Sequence, residues 1–258
     1  MTNRKLVFLI LIFVLGFSSA CKTHWAIVHA KTENKIIILD TVNVKLDDVQ
    51  TNEYIRPYKA VIDSEMNEIL AYSEIVMYKD DPEGLLNNFV ADLILQKGNE
   101  YLKKNYNTTA DICLLNSGGL RSALPKGAVT LRNVYELMPF ENELVAVQLS
   151  GKTIKNILDY IAKKGGMPES GFVMGIKADT AQNILIKNVP FDISKNYIVL
   201  TSDYLLAGGD DMTFFADTVA SFPVMLKVRD AIIQYLKEQT QNKNTITSKL
   251  DKRIYYEK

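Results

Sequence analysis

Residues 114–127 read LLNSGGLRSALPKG, and the interpretation of the fold starts from this stretch. An apolar run from Ile112 to Leu115 stops at Asn116, and the pair Gly118-Gly119 follows. Such a run ending at glycines is typical of a buried strand that enters a tight turn. Because glycine lets the backbone come close to a ligand, the turn has the geometry of a binding site.

Two further stretches place polar and glycine residues directly after an apolar element. They are Pro139-Phe140-Glu141-Asn142 and the run YLLAGGD at residues 204–210. Each has an ordinary structural explanation, since glycine pairs make turns, a Phe after Pro packs, and an Asp after Gly caps. Together the three stretches supply an amide-rich turn, a guanidinium, two aromatic rings and a carboxylate. These groups suit a ligand with a flat ring, hydroxyls and a phosphate.

The composition indicates a globular protein without a polyanionic partner. Of the 258 residues, 47% are hydrophobic, which is enough for a sizeable core. Thirty Lys and Arg balance thirty Asp and Glu. Bulk charge therefore argues against binding to a nucleic-acid polymer.

The first 21 residues have the pattern of an export signal. Basic residues precede an apolar run from Leu6 to Leu15, which is too short to span a bilayer. The following segment resembles the lipobox of bacterial lipoproteins and ends at Cys21. We expect a signal peptide at residues 1–21, lipidation of Cys21 and an exported, membrane-anchored lipoprotein, periplasmic or on the cell surface. Ser18 stands where a lipobox usually has Leu, and plain cleavage nearby is the alternative.

Hydrophobic periodicity predicts alternating helices and strands after this segment. We expect residues 22–50 to form a tether and first strand, and residues 51–258 to form one domain of the α+β class. Thr130 is a suitable N-cap, and Gly165-Gly166 would end a helix. The expected helices are at 54–70, from 85, after 130, after 150 and at 223–235, and the expected strands at 71–77, 112–115, 144–147, 172–176, 183–186, 197–201 and 253–256.

In order and spacing, the three stretches resemble the C-terminal domain of the 5'-nucleotidase and UDP-sugar hydrolase family. The resemblance rests on NSGGLR at residues 116–121, NVYELMPFEN at residues 133–142 and TSDYLLAGGDD at residues 201–211. It extends over roughly residues 50–258 and implies a mixed, layered α/β/β/α fold. In that family this domain holds the nucleotide and stacks its base between two aromatic rings.

The resemblance implies a substrate-binding role for each matching residue. Phe140 and Tyr204 would hold the base, with Tyr204 standing where the family usually has Phe. Asp210 would bind the ribose hydroxyls, which suits an ionised carboxylate because it only accepts hydrogen bonds. The other implied residues are Asn116 and Asn142 at the base edge, the turn glycines Gly118 and Gly119, and Arg121 at the phosphate.

One departure from the family concerns phosphate binding. Family members usually carry a further phosphate-binding Arg just before the helix that starts here near Leu85. Asp81-Pro82-Glu83-Gly84 contains none. Lys126 or Arg132 is a possible replacement, although either also fits an ordinary surface charge.

A second departure concerns hydrolysis. The family's reaction needs a two-metal centre with several histidine ligands, which activates water and binds the phosphoryl oxygens. This chain has two histidines, His24 and His29, both in the N-terminal segment. The sequence therefore predicts no catalytic residue, no metal ligand and no cofactor of its own, with divalent metals only in a partner phosphatase.

Three functional hypotheses follow. The first is the nucleotide-binding half of a 5'-nucleotidase-type hydrolase of nucleotide catabolism, with hydrolysis supplied by a separately encoded metallophosphatase chain. The second is a non-catalytic surface lipoprotein that captures nucleotides or nucleosides. The third is a degenerate domain retained as a structural subunit.

Overall fold

The computed structural model describes residues 49–257. The predictions for the signal peptide, Cys21, the two histidines and the tether lie outside the described residues. One compact unit extends from residue 53 to residue 258. No helix within residues 49–257 combines the length and apolar composition needed to cross a membrane.

Helices and strands are mixed along the described residues, and five strands follow one another between residues 169 and 202. The helices are α1 (Val49–Met66), α2 (Leu85–Tyr106), α3 (Leu131–Leu137), α4 (Gly151–Lys164), α5 (Asp203–Leu206) and α6 (Val228–Gln241). The strands are β1 (Ile69–Ser73), β2 (Ile112–Leu114), β3 (Gly127–Thr130), β4 (Glu143–Ser150), β5 (Glu169–Ser170), β6 (Phe172–Lys177), β7 (Thr180–Ile186), β8 (Val189–Pro190), β9 (Asn196–Ser202), β10 (Ala220–Lys227) and β11 (Ile254–Tyr256).

Local sequence signals explain where several helices begin and end. The Thr130 hydroxyl accepts a hydrogen bond from the Asn133 amide at 3.4 Å, which confirms the predicted N-cap of α3. Ser150 caps α4 in the same way through the Thr153 amide at 3.2 Å. Helix α4 ends at Gly165, whose φ of 83° lies in the left-handed region that favours glycine.

A five-stranded sheet with the order β10-β4-β9-β2-β5 lies at the centre. Strands β2 and β9 are parallel, and every other neighbouring pair is antiparallel. Since side chains alternate along a strand, the sheet buries a different set on each face. Cys113 and Leu200, which are opposite each other, belong to one core cluster. Ile112 and Val199, the neighbouring pair, belong to the other.

Each face of this sheet is covered by a different layer. Helices α2 and α6 cover one face, with Leu93 and Ile232 buried in the first cluster. Helix α4 and a four-stranded sheet of order β11-β6-β7-β8 contribute Ile157 and Met174 to the second. Strands β1 and β3 form a separate two-stranded sheet. Full burial of one such aliphatic side chain contributes about 1.5–3 kcal/mol. The α+β class expected from the sequence is confirmed.

The helix predicted at 223–235 is wrong in its first turn. Pro223 lies inside β10, opposite Val145, and α6 begins only at Val228. Strand β10 is at the edge of its sheet and pairs with β4 alone. A proline is tolerated there because its missing N–H removes no hydrogen bond from the interior of the sheet.

The boundary between α1 and β1 also differs from the prediction. Helix α1 is Val49–Met66 and β1 is Ile69–Ser73, so the helix predicted at 54–70 begins and ends too late, and so does the strand predicted at 71–77. The spacing of the apolar residues near this boundary fits both the repeat of a helix and the repeat of a strand. Pairing with β3 makes the segment from Ile69 a strand.

Candidate functional site

The three sequence stretches meet at one edge of the five-stranded sheet. This edge is formed by the carboxyl ends of β2 and β9 and the amino end of β4. Strands β4 and β9 are antiparallel with Leu144 opposite Ser202, so the loop before β4 lies beside the loop after β9. Strand β2 runs parallel to β9, and the Thr201 hydroxyl donates to the Leu114 carbonyl at 2.9 Å. The turn that follows β2 therefore lies at the same edge as these two loops.

The turn after β2 is a short 3-10 helix at Ser117–Gly119. The Gly119 amide donates to the Asn116 carbonyl at 3.0 Å. A Cβ atom added at Gly119 would lie 3.0 Å from Asn116 Oδ1, so the Asn116 side chain folds tightly against the turn. Arg121 is exposed, with Nη1 3.5 Å from the Gly118 carbonyl oxygen.

The loop before β4 presents the Phe140 ring, which is 40% exposed. Arg229 of α6, which is buried, fixes this loop. Its Nη1 donates to the carbonyls of Met138 at 3.4 Å and Phe140 at 3.3 Å, and its Nη2 pairs with Glu141. Sequence reasoning missed Arg229, because nothing local in the sequence signals a contact that spans 89 positions.

Two more contacts connect this loop to the start of α6. The Val228 amide donates to the Asn142 carbonyl at 2.9 Å. The Lys227 ammonium also pairs with Glu141. Hydrogen bonds from Lys227 and then Arg229 lower the pKa of Glu141 to about 2, so this carboxylate is ionised at neutral pH.

The loop after β9 holds Asp210 between two tyrosines. The Tyr204 hydroxyl donates to Asp210 Oδ1 at 2.8 Å, and the Tyr160 hydroxyl donates to the Asp210 backbone carbonyl. The hydrogen bond to Asp210 raises the pKa of Tyr204. Asp210 has a φ of 52°, in the left-handed region, and such strained residues cluster at functional sites.

The Tyr204 ring packs on Gly209. A Cβ atom at Gly209 would lie 2.5 Å from the ring, so a larger residue does not fit without movement of the ring. The side chain of Tyr204 is nevertheless 40% exposed. The ring is thus held against Gly209 and still partly exposed.

A cleft of about 320 Å³ opens beside these residues. Of the eight predicted substrate-binding residues, Gly118 and Asp210 line the cleft. Tyr204 and Arg121 reach those two residues, as described above. The other lining residues are Asp81, Ser117, Tyr160, Lys164, Gly166, Met167 and Asp211.

The remaining predicted residues lie near the cleft without lining it. Asn116 and Gly119 belong to the turn that supplies Gly118. Phe140 and Asn142 are in the separate loop before β4, at the same edge of the sheet. The predicted sandwich of Phe140 and Tyr204 around a base stays a prediction.

Lys79 is a cation at this site that sequence reasoning did not identify. Its Nζ donates to the carbonyls of Ser117 at 3.1 Å and Leu120 at 3.2 Å. Of the two basic residues considered from the sequence, Arg132 pairs with Asp63 at 2.6 Å, and Lys126 is exposed just before β3.

A larger cleft of about 490 Å³ lies around Arg253. Its guanidinium there already pairs with Asp92 and Asp251, each at 2.8 Å. None of the eight predicted residues lines this cleft, so its size does not make it the better candidate.

Within residues 49–257, no three or more His, Cys, Asp or Glu side chains are grouped in a way that could hold a metal ion. The groups at the sheet edge are hydrogen-bond donors, a carboxylate and aromatic rings. Chemically, this arrangement can bind and orient a polar ligand.

Comparison with known proteins identifies the type of domain. The family model described as 5'-nucleotidase, C-terminal domain, matches residues 69–217, more than half of the chain. All eight predicted substrate-binding residues lie within that range.

Individual relatives agree with this match over part of their own length. The chain is 25% identical to Apyrase of Tabanus yao over 216 residues, covering 73% of this chain and 38% of that protein. It is 31% identical to Protein UshA of Escherichia coli (strain K12) over 108 residues, covering 40% of this chain and 20% of that protein.

A solved structure has the same fold. The 5'-nucleotidase precursor from Thermus thermophilus superposes with a TM-score of 0.68 at 24% identity, covering 81% of this chain and 43% of that one. At this identity the likeness shows the fold alone. The chain thus spans less than half the length of these relatives.

Proposed function

Because the chain belongs to the 5'-nucleotidase C-terminal domain family, whose model matches residues 69–217, we propose that it is the nucleotide-binding half of a 5'-nucleotidase-type hydrolase. The observation that carries the proposal is the convergence of the three motifs at one edge of the central sheet. A role in nucleotide catabolism follows from the family.

The base is stacked on the rings of Phe140 and Tyr204. Both residues are 40% exposed, and the Tyr204 ring is in close contact with Gly209. Stacking of a base on an aromatic side chain contributes about 1–3 kcal/mol and tolerates different bases. Asn116 and Asn142 meet the base edge, and we expect weak discrimination among bases.

The sugar is bound by Asp210. Asp210 lines the cleft, and its carboxylate accepts the Tyr204 hydroxyl at 2.8 Å, which leaves acceptor sites for two vicinal hydroxyls. Arg121 is directed to the phosphate, where a guanidinium can donate two parallel hydrogen bonds. We therefore expect the site to discriminate among sugars more strictly than among bases.

Hydrolysis is assigned to a separately encoded metallophosphatase chain. Among residues 49–257, no His, Cys, Asp and Glu side chains are grouped so that they could hold a metal ion. A metal centre in the partner would activate water and bind the phosphoryl oxygens. The expected lipidation at Cys21 would hold the complex at a membrane.

Binding is tested by calorimetric titration of the mature chain with adenosine and AMP. Phe140→Ala is expected to weaken both by about 1–3 kcal/mol, because it removes a stacking ring. Asp210→Asn should weaken both through the ribose. Tyr54→Ala, which removes an aromatic ring that is 73% exposed on α1, serves as the matched control. Absence of binding to the unaltered chain would favour a purely structural role.

Hydrolysis is tested by mixing the chain with a metallophosphatase encoded by a neighbouring gene. AMP hydrolysis by the mixture should exceed that of the phosphatase alone, and Phe140→Ala should reduce the gain. Tight binding of AMP without any gain in hydrolysis would instead support capture of nucleotides by a non-catalytic protein.

A further inference from the structure

Asp210 is held through its backbone as well as through its side chain. The Tyr204 hydroxyl donates to the carboxylate, whereas the Tyr160 hydroxyl donates to the backbone carbonyl of Asp210. Tyr204 belongs to the same loop as Asp210, six positions away, but Tyr160 belongs to helix α4, 50 positions away. Of these two hydrogen bonds, the one from Tyr160 therefore connects Asp210 to a helix of the scaffold.

The backbone at Asp210 needs support because its conformation is unfavourable for a residue with a side chain. Asp210 has a φ of 52° and Asp211 a φ of 61°, so two consecutive residues other than glycine lie in the left-handed region. Such residues keep that conformation only where their surroundings hold them. A hydrogen bond to the Asp210 carbonyl fixes the peptide plane between these two residues, and with it the direction in which the Asp210 side chain leaves the backbone.

The Tyr160 ring is itself held in place by its neighbours. Its centroid lies 5.6 Å from that of Phe214, with the two rings inclined at 66°, an edge-to-face arrangement that aromatic pairs favour. Lys164, one turn further along α4, has its Nζ 5.3 Å from the centroid of the same ring. Ile157 and Ile161 of α4 are buried in the second core cluster, which anchors the helix. The hydroxyl group thus comes from a side chain with little freedom to move.

Tyr160 and Asp210 both line the cleft of about 320 Å³. We propose that Tyr160 is a positioning residue for sugar recognition, which holds the Asp210 backbone so that the carboxylate can accept two vicinal hydroxyls. The inference rests on the proposed function, since that function assigns the sugar to Asp210. It adds helix α4, which lies outside all three sequence motifs, to the residues that determine how the ligand binds.

Tyr106 provides a matched control away from the cleft. Its hydroxyl donates to the backbone carbonyl of Pro223 at 3.0 Å, and its ring centroid lies 5.5 Å from that of Phe222, with the rings inclined at 68°. Tyr106 therefore has the same two kinds of contact as Tyr160, a hydrogen bond to a distant carbonyl and an edge-to-face aromatic pair. None of these three residues lines the cleft. An effect that Tyr160→Phe shares with Tyr106→Phe is therefore not specific to the site.

The experiment titrates the unaltered chain, Tyr160→Phe and Tyr106→Phe with adenosine and with 2',3'-dideoxyadenosine by calorimetry. Phe keeps the ring at position 160, with its contacts to Phe214 and Lys164, while it removes the hydroxyl. Tyr160→Phe is expected to weaken adenosine binding about threefold to tenfold and to leave dideoxyadenosine binding within about twofold. Tyr106→Phe should change neither affinity.

Asp210→Gly distinguishes positioning from direct contact with the ligand. Glycine accepts the left-handed backbone conformation, so this variant removes the carboxylate while it keeps the conformation of the loop. If Tyr160 acts through Asp210, adding Tyr160→Phe to Asp210→Gly should change adenosine affinity by less than about twofold. A further loss of about threefold or more in the double variant would show that Tyr160 contacts the ligand itself, which would overturn the inference.

The remaining outcomes separate this inference from the proposed function. Equal losses for adenosine and dideoxyadenosine in Tyr160→Phe would show that the hydroxyl has a merely structural role, and unchanged adenosine binding would show that it is dispensable. Either result overturns this inference alone. If the unaltered chain bound neither nucleoside, the proposed function would fail and this inference with it.

Discussion

The hydroxyl of Tyr204 gives the loop after β9 a hydrogen bond that a phenylalanine would lack. It holds Asp210 Oδ1 at 2.8 Å while the ring packs on Gly209. In the proposed function, the ring stacks on a base while the hydroxyl orients the carboxylate that is assigned to the sugar. From the sequence, the same Tyr is only an aromatic residue with an additional hydroxyl.

Replacing Tyr204 by Phe should separate these two roles. The ring is kept, so stacking should be retained, whereas Asp210 loses its donor and becomes less well oriented. We expect affinity for adenosine to fall about threefold to tenfold, and affinity for 2',3'-dideoxyadenosine to change much less. Paired titrations with the two nucleosides measure the difference. Equal losses for both would mean that the hydroxyl does not act through the sugar.

Helix α6 determines how the loop before β4 is held. Arg229, whose side chain is 6% exposed, and Lys227, whose side chain is 41% exposed, both pair with Glu141. Arg229 also donates to two carbonyls of the loop and lies with its guanidinium carbon 4.3 Å from the centre of the Tyr135 ring. The buried contact should therefore stabilise the loop more than the exposed one.

Arg229→Met and Lys227→Met form a matched pair that compares the buried contact of this loop with the exposed one. Arg229→Met should lower the free energy of unfolding by about 1–3 kcal/mol, since the buried Met138 carbonyl and the partly buried Phe140 carbonyl lose their donor. Lys227→Met should cost less than about 1 kcal/mol, as for exposed ion pairs. Urea denaturation measures both, and nucleotide affinity should fall in Arg229→Met because Phe140 becomes less ordered. Equal costs for the two variants would contradict the assignment.

How far each element could be predicted depended on whether its signal was local. The apolar periodicity after Leu85, the cap at Thr130 and the glycine at 165 are local signals, and they predicted the ends of helices correctly. The helix predicted from Pro223 was wrong because a proline fits both the first turn of a helix and an edge strand, and only the pairing with β4 decides between them.

The site was predictable to the extent that its residues belong to motifs in the chain. The three motifs predicted which segments contribute to the candidate site. The register of β2, β4 and β9 brings these segments to one edge of the central sheet. Lys79 and Arg229 were missed because their contacts join residues 38 to 91 positions apart. Side chains that support a site from another element leave no pattern in the neighbouring sequence.

Stability of the domain as a whole should depend on one buried carboxyl group. Glu169, on the edge strand β5, is 1% exposed, and neither of its oxygens has a hydrogen-bond partner among the described residues. Burial raises its pKa well above the ordinary value of 4.5, against the opposing charge of Arg253. The other charged groups that act on it are Asp92, Asp251 and Glu83.

Because the pKa of Glu169 is raised in the folded protein, the free energy of unfolding depends on pH in a definite direction. Folded protein keeps the Glu169 proton at pH values where the unfolded chain has released it. The stability from this group is fully present below about pH 4.5 and is lost as pH rises toward the raised pKa of the folded state. The loss is about 1.4 kcal/mol for each pH unit in that window.

Glu169→Gln should abolish the pH dependence of stability that comes from this carboxyl group. The variant should gain stability relative to the unaltered chain as pH rises from about 5 to 8, measured by urea denaturation at several pH values. Glu136→Gln, at an exposed position on α3, is the control. Parallel pH profiles for the unaltered chain and Glu169→Gln would show that the carboxyl group is not held neutral in the fold.

The pairing of Leu144 with Ser202 also determines how this protein can be redesigned. A shift of either strand by one position would turn its core side chains toward the wrong face, so the register resists change. The segment between β9 and β10 is also tied to the scaffold, because its Leu205, Met212 and Phe215 are buried in the second core cluster. A segment transplanted from a relative should therefore fold on this scaffold only where these three apolar positions are kept.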